Sequence, residues 1–342
     1  MKKLLGTLCA LALTTAAVPA FADGHGEKTM LRIQTHYAPE TTSGKLLTEY
    51  VDNIQKMSNG EIEVEMFYSS SVVKSVETFD AAATGILDCD ATGGAYQTGK
   101  NPAFQFVGDI MGGYATPVQQ LSWLYYGGGR EAANELYNKY DMQLVGWIVY
   151  GQESFASTAP IAGIDDLKDW KFRSPPGMET KIFEKLGAKP IVMDFTEIFT
   201  ALETGIIDGA DASGLANNVG LGLYDIAGYA NFPGFHSMPS DHIACNKEVW
   251  DAMPDHHRLI MEVAIGDIAL KSALSFEKQN AEAAAMLTEK GIQIDAWSAE
   301  DLAEFRDAAQ STWGEFATTP EAKALVESHI AYLTQLGLVK GQ

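Results

Sequence analysis

The sequence predicts an α/β fold of two hinged lobes, each a mostly parallel sheet flanked by helices, with long helices towards the C-terminal end. Two observations predict it. One is a strand–helix–strand rhythm that runs through both halves. The other is a phrase written twice: Phe79, Ala81, Thr84, Gly85, Ile86 and Asp88 recur 120 residues later as Phe199, Ala201, Thr204, Gly205, Ile206 and Asp208. After one inserted residue, Asp90, Ala91, Thr92 and Gly93 return as Asp211, Ala212, Ser213 and Gly214.

The elements follow in order. "TMLRIQTHYAP" alternates as a strand and turns at Pro39, and "SGKLLTEYVDNIQKMS" spaces Leu46, Leu47, Tyr50, Val51 and Ile54 as one helix face. Asn59-Gly60 makes a turn before the strand "EIEVEMFY", and the first copy of the phrase adds a helix, a glycine stop at Gly85 and the short strand "ILDCDA". In the second half "LVGWIVYG" and "FASTAP" read as strands, "GIDDLKDWKFRSPP" as a short helix and strand, and "GMETKIFEKLGAKPIVM" as helix, glycine stop and strand. The second copy of the phrase closes that run. Beyond Trp250 the chain is mainly helical, through the long run "HRLIMEVAIGDIALKSALSFEKQNAEAAAMLTEKG", then residues 295–317 and 320–338.

This βαβ rhythm implies sheets covered on both faces. No Gly/Ser linker separates the halves, so ordered crossovers must join them. Open α/β sheets bind ligands outside the carboxyl ends of their strands. "DCDATGG" and "DGADASG" both lie there, which makes the two copies opposing jaws of one cleft. Helix–glycine–strand phrases also recur by chance in α/β chains, and the duplication alone does not decide between the two.

Lys2 and Lys3, an apolar run and Ala20-Phe21-Ala22 form a cleaved secretory signal over residues 1–22, with Asp23 as the mature start. The run is too short and broken to span a bilayer. An anchor on Cys9 is the alternative, but Gly6-Thr7-Leu8 does not resemble a lipobox. The mature chain is thus expected to be exported, in the periplasm. At 342 residues it exceeds what one core usually supports, and its formal net charge of −21 disfavours phosphate backbones and anionic lipid, which excludes nucleic-acid roles. Cys89 and Cys245 both sit on strand-like runs. A disulfide between them is open, although small core residues are the commoner use of strand cysteines.

Arg173, between Phe172 and the stiff "SPPG" turn, is the candidate anion clamp, because a guanidinium holds a carboxylate through two parallel hydrogen bonds. A surface ion-pair residue is the ordinary use of such an arginine. Gln152 follows a strand at the expected crossover, and Asp211 ends the second phrase. With a ligand oxygen these two offer oxygen donors for a sodium or calcium ion. Asp208 reads as a brace of the turn after Gly205. Tyr96, Phe235 and His236 are candidate cleft walls, with packing as the alternative. For turnover, "G-x-S-x-G", P-loop and "G-x-G-x-x-G" patterns are all missing, so the chain does not read as an enzyme.

"LTEYVDNIQKMSNGEIEVEMFY", "IDDLKDWKFRSPPG", "KLGAKPIVM", "EIFTALETGIIDGAD" and "CNKEVWDAMP" resemble the DctP-type substrate-binding proteins of TRAP transporters. "NPAFQFVGDIMGG" and "WLYYGGGREAANELYNKY" are similar to the branch of 2-oxo acid, lactate and mannitol/chloroaromatic-type binders. The resemblance implies a two-domain periplasmic-binding-protein fold closing on one small organic anion, delivered to the small and large membrane subunits of a permease. It implies that Arg173 holds the substrate carboxylate, and that Gln152 and Asp211 hold a cation with it. Where that branch places tryptophan after the acid, this chain has Ala212, and the acid is Asp rather than Glu, which puts both the cation and a pyruvate-sized ligand in question. The domains expected are 23–150 plus about 240–275, and 151–239 plus about 276–342 with the C-terminal helices. Those helices either dock on their own chain or join a homodimer. An exported enzyme acting on an organic acid, or a sensor component that presents ligand to a receptor, are the rival readings.

Overall fold

The computed structural model describes residues 28–235 and 237–339; the signal segment 1–22 and His236 lie outside the described residues. Eleven strands are present among them: β1 (Thr29–Thr35), β2 (Ile62–Phe67), β3 (Cys89–Ala91), β4 (Met142–Val149), β5 (Ser154–Ser157), β6 (Lys171–Ser174), β7 (Lys189–Val192), β8 (Gly209–Ser213), β9 (Tyr229–Asn231), β10 (Ser240–Asn246) and β11 (Gln293–Asp295). They form two sheets, ordered β2-β1-β3-β10-β4 and β11-β9-β5-β8-β6-β7. Apart from β11, the second order is the first with each strand replaced by its counterpart. Each sheet runs in one direction except for a single reversed strand, β10 in the first and β5 in the second.

Each reversed strand is the first that the chain forms after changing sheet. Residues 150–153 carry the chain from β4 across to β5, and residues 232–239 carry it back from β9 to β10. The 35-residue helix Asp255–Glu289 makes the third crossing and ends beside β11, a strand of three residues that the sequence pattern does not announce. The two short crossovers lie against each other, with Glu153 N–H donating to Ser237 O and Phe235 N–H to Glu153 O. That approach requires Gly234: its φ is +99°, and an added Cβ would sit 2.2 Å from Glu153 O.

The duplicated phrase folds twice into one structure. Helices Thr78–Ala83 and Ile198–Glu203 stop at Gly85 and Gly205, with φ of +82° and +69°, and lead into β3 and β8. Asp88 accepts from Arg32 N–H of β1, and Asp208 from Lys171 N–H of β6, so each carboxylate ties its turn to the neighbouring strand.

Cys89 and Cys245 face each other on antiparallel β3 and β10 and form a disulfide, where the sequence favoured unpaired core cysteines. The pairing depends on strand register across a separation of 156 residues, which the local pattern does not show. The C-terminal helix Pro320–Gln335 docks on its own chain. It buries Leu325, Val326 and Leu333, and stacks His329 on Trp123 at 3.6 Å. No described helix is long and apolar enough to cross a membrane.

Candidate functional site

The carboxyl ends of β1, β3, β6 and β8 meet where the lobes face each other. Arg173 projects there from β6 and is only 2% exposed. Its Nη1 donates to the Asp211 carbonyl at 2.7 Å, its Nε reaches Met193 O at 3.4 Å, and Nη2 has no partner among the described residues. The guanidinium carbon lies 5.6 Å from the centre of the Phe195 ring. A buried guanidinium with one free nitrogen is costly unless an acceptor completes it, so Nη2 points to where an anion belongs.

Aromatic rings close one side. His36 packs between Phe195 (4.4 Å) and Tyr37 (4.2 Å), with Tyr96 edge-on at 5.8 Å. Burial, reinforced by Arg173, lowers the His36 pKa to about 3, so its 3.4 Å contact with Asp241 joins a neutral ring to a carboxyl. Burial in turn lifts Asp241 to about 7. Ala212 belongs to the apolar cluster with Tyr37, Tyr150 and Phe195.

Three carboxylates occupy the other side. Glu153 from the first crossover, Glu179 from the helix Met178–Lys185 and Asp211 from β8 bring oxygens within 4.8 Å of one another, and all three are buried. Ser237 donates to Glu153 at 2.6 Å, but both Asp211 oxygens and Glu179 Oε1 lack partners among the described residues. Burial first, then mutual repulsion, raises all three pKa values: Glu179 to about 8, and Glu153 and Asp211 well above the carboxylate range. A cavity of about 60 Å³ touches Glu153, Glu179 and Ser237, with Asp109 and Gly93 also in its wall.

Hydrogen bonds hold the lobes together around this centre. Asp194 accepts from Ser75 N–H at 2.9 Å and Ser75 Oγ at 3.1 Å, as well as from Thr196. Burial opposes its ionisation, but these bonds outweigh it and keep the carboxyl below its ordinary value. Met178 N–H donates to Gln105, Tyr37 to Ser213, and Asn217 exchanges two bonds with Ser43.

Of the residues singled out from the sequence, the fold brings Arg173, Asp211, Tyr96 and Ala212 into this region. Gln152 turns away: its amide donates to Ala115 O at 3.4 Å in a separate cavity behind the crossover, and the next residue, Glu153, enters the cleft instead. Phe235 stacks on Phe155 at 4.4 Å inside the second lobe's aromatic core, away from the cleft. Sequence reading missed His36, Glu153, Glu179, Phe195 and Asp241. Glu179 looks like an ordinary first-turn helix acid, and only its neighbour Gln152 hinted at Glu153.

Two α/β lobes joined by three crossings, with a buried guanidinium and an acid cluster between them, define a hinged ligand-binding protein. The chain belongs to the DctP family, bacterial extracellular solute-binding protein family 7, whose pattern matches residues 33–319. It is 27% identical over 258 residues to the monocarboxylate 2-oxoacid-binding periplasmic protein of Nostoc sp., covering 72% of this chain and 68% of the relative. The apo, open structure of a TRAP periplasmic solute-binding protein from Rhodobacter sphaeroides is 30% identical, with TM-score 0.71, over 91% of this chain and all of that one. A TRAP solute-binding protein from Bordetella bronchiseptica, with copurified calcium and picolinate, is 24% identical with TM-score 0.84, over 91% and 94%. These relatives are binding proteins rather than enzymes.

Proposed function

We propose that this chain binds one small organic acid in the interlobe cleft, its carboxylate clamped by Arg173, and delivers it to the small and large membrane subunits of a TRAP permease. The observation that carries the reading is Nη2 of Arg173, buried beside an aromatic wall and without a partner among the described residues. Excluding water on closure strengthens the guanidinium–carboxylate attraction. The contacts of Asp194 and Asn217 across the lobes favour the closed form, and ligand shifts the population towards it.

The acid cluster adds a cation to this reading. Oxygen donors that are buried, close and without partners suit a hard ion. Glu153, Glu179 and Asp211 would hold sodium or calcium next to the ligand carboxylate, Glu153 standing where Gln152 was expected. The ion supplies the positive charge that one arginine cannot spread over three acids. Copurified calcium and picolinate in the Bordetella relative accord with this pairing of ion and acid.

Mass spectrometry of the denatured, purified protein tests the ligand class. An organic acid released unchanged supports the reading. A cleft loaded with a neutral or cationic compound, or an acid steadily converted to product, would overturn it.

A further inference from the structure

Besides the cleft acids, one further cluster of three metal-ligating side chains exists among the described residues: Glu61, His256 and His257. It lies at the amino ends of β1 and β2, the far end of the first sheet from the cleft. Six residue steps along β1, at about 3.3 Å each, put roughly 20 Å between the two ends. Glu61 immediately precedes β2, and its carbonyl accepts from Thr29 N–H at 2.8 Å. His256 and His257 are the second and third residues of the long helix Asp255–Glu289.

Neighbouring residues on a helix point about 100° apart, so their side chains ordinarily diverge. Here both rings turn onto one atom: Nε2 of His256 and Nε2 of His257 each lie 3.2 Å from Glu61 Oε2. That spacing decides between two readings. The ordinary one is a surface His–Glu ion pair, whose charge-assisted hydrogen bonds close to about 2.7–2.9 Å. Ligand atoms around a tetrahedral zinc, with bonds of about 2.0–2.1 Å, stand about 3.3–3.4 Å from one another. Both contacts lie nearer the second spacing.

The surroundings suit a ligand set. The His257 side chain is fully buried, and its other ring nitrogen, Nδ1, lies 2.7 Å from Thr29 Oγ1. A hydroxyl both donates and accepts, so the ring proton can sit on Nδ1 and leave the Nε2 lone pair for a metal. In the metal-free protein, hydrogen bonds from His256 and then His257 hold the Glu61 carboxyl below its ordinary range. An ion would take the place of those protons and release them. The His256 side chain is 60% exposed, which leaves a fourth position open to water.

We infer that Glu61, His256 and His257 form a zinc site, with Thr29 as the positioning residue of His257. Two imidazoles and one carboxylate suit zinc rather than the hard ions that the cleft acids suit. Bound there, the metal pins the first turn of the interlobe helix to the edge formed by β1 and β2. The site stands apart from the cleft and does not depend on what the cleft binds.

Equilibrium dialysis of the untagged mature protein against micromolar zinc, with excess calcium to occupy the cleft acids, tests this by metal analysis. Wild type should retain one zinc per chain. Glu61→Gln and His256→Ala should each weaken zinc binding about tenfold or more, and Thr29→Val about tenfold, with circular-dichroism spectra unchanged. Asp211→Asn, in the cleft, and His25→Ala, ahead of the described residues, should both keep their zinc. Cobalt in place of zinc should give the intense visible bands of a tetrahedral site in wild type, and these should be lost in His256→Ala. A wild type that retains no zinc, undiminished retention in Glu61→Gln, or loss of zinc in Asp211→Asn or His25→Ala would each overturn the inference.

Discussion

Asp90 and Asp211 end the same helix–glycine–strand phrase in the two lobes, and both are fully buried. In the first lobe His242 Nε2 lies 2.8 Å from Asp90, and Tyr137 in turn holds the other ring nitrogen at 2.8 Å. In the second lobe neither Asp211 oxygen has a partner among the described residues, and Glu153 and Glu179 crowd it. The bracing acids one turn earlier, Asp88 and Asp208, do the same work in both copies. The two copies thus share the scaffold of each jaw and differ at the last acid. Asp90 is held inside its lobe, and Asp211 is left to be completed by something that enters the cleft.

The strongest way to test that division is to remove what Asp211 and the ligand share. Arg173→Ala should weaken binding of the organic acid about 100-fold or more, since truncating one partner of a buried charge pair typically costs 2–5 kcal/mol; calorimetry reads it, and a loss below threefold breaks the account. Next come the two acids themselves. Asp211→Asn should abolish any dependence of ligand affinity on calcium, whereas Asp90→Asn should leave that dependence intact and lower the melting temperature. Loss of a buried, charge-assisted hydrogen bond costs about 1–3 kcal/mol. Equal behaviour of the two variants would erase the distinction drawn here.

The acid cluster also sets a pH dependence. Glu179 rises from its ordinary value to about 8 on folding, and Glu153 and Asp211 shift the same way. The folded protein therefore holds protons that the unfolded chain releases. In cation-free protein this stabilisation is full below the ordinary carboxylate range and is lost as pH climbs towards about 8. Melting temperature should fall over that interval, and calcium should restore it at the alkaline end while doing little at the acid end. A flat profile would mean the cluster is not strained. The smallest effect is expected at the lobe contact: Asp194→Asn should reduce ligand affinity a few-fold, about 1 kcal/mol, by weakening a charge-assisted contact made only on closure.

Much of the architecture was legible in the chain because rhythm and turn chemistry are local. The helix stops at Gly85 and Gly205, the crossovers and the long helix all leave patterns within a few residues. Arg173 was legible for the same reason: a cation between apolar strand residues and a proline turn asks for a partner. Glu153 was not, because which of two adjacent side chains enters the cleft depends on how the crossover packs against Gly234, Phe235 and Ser237. Glu179 was hidden by position, since an acid in the first turn of a helix already has a use there. The disulfide and β11 depend on pairing between distant strands, which no local pattern carries.

The central claim is that Arg173 and the acid cluster together complete one carboxylate ligand. Thermal shift of wild type and Arg173→Ala against 2-oxo, 2-hydroxy and dicarboxylic acids, each with and without calcium, tests it most directly. The account predicts that at least one acid raises the wild-type melting temperature, more so with calcium, and that none raises that of Arg173→Ala. An acid that stabilises both proteins equally would contradict it.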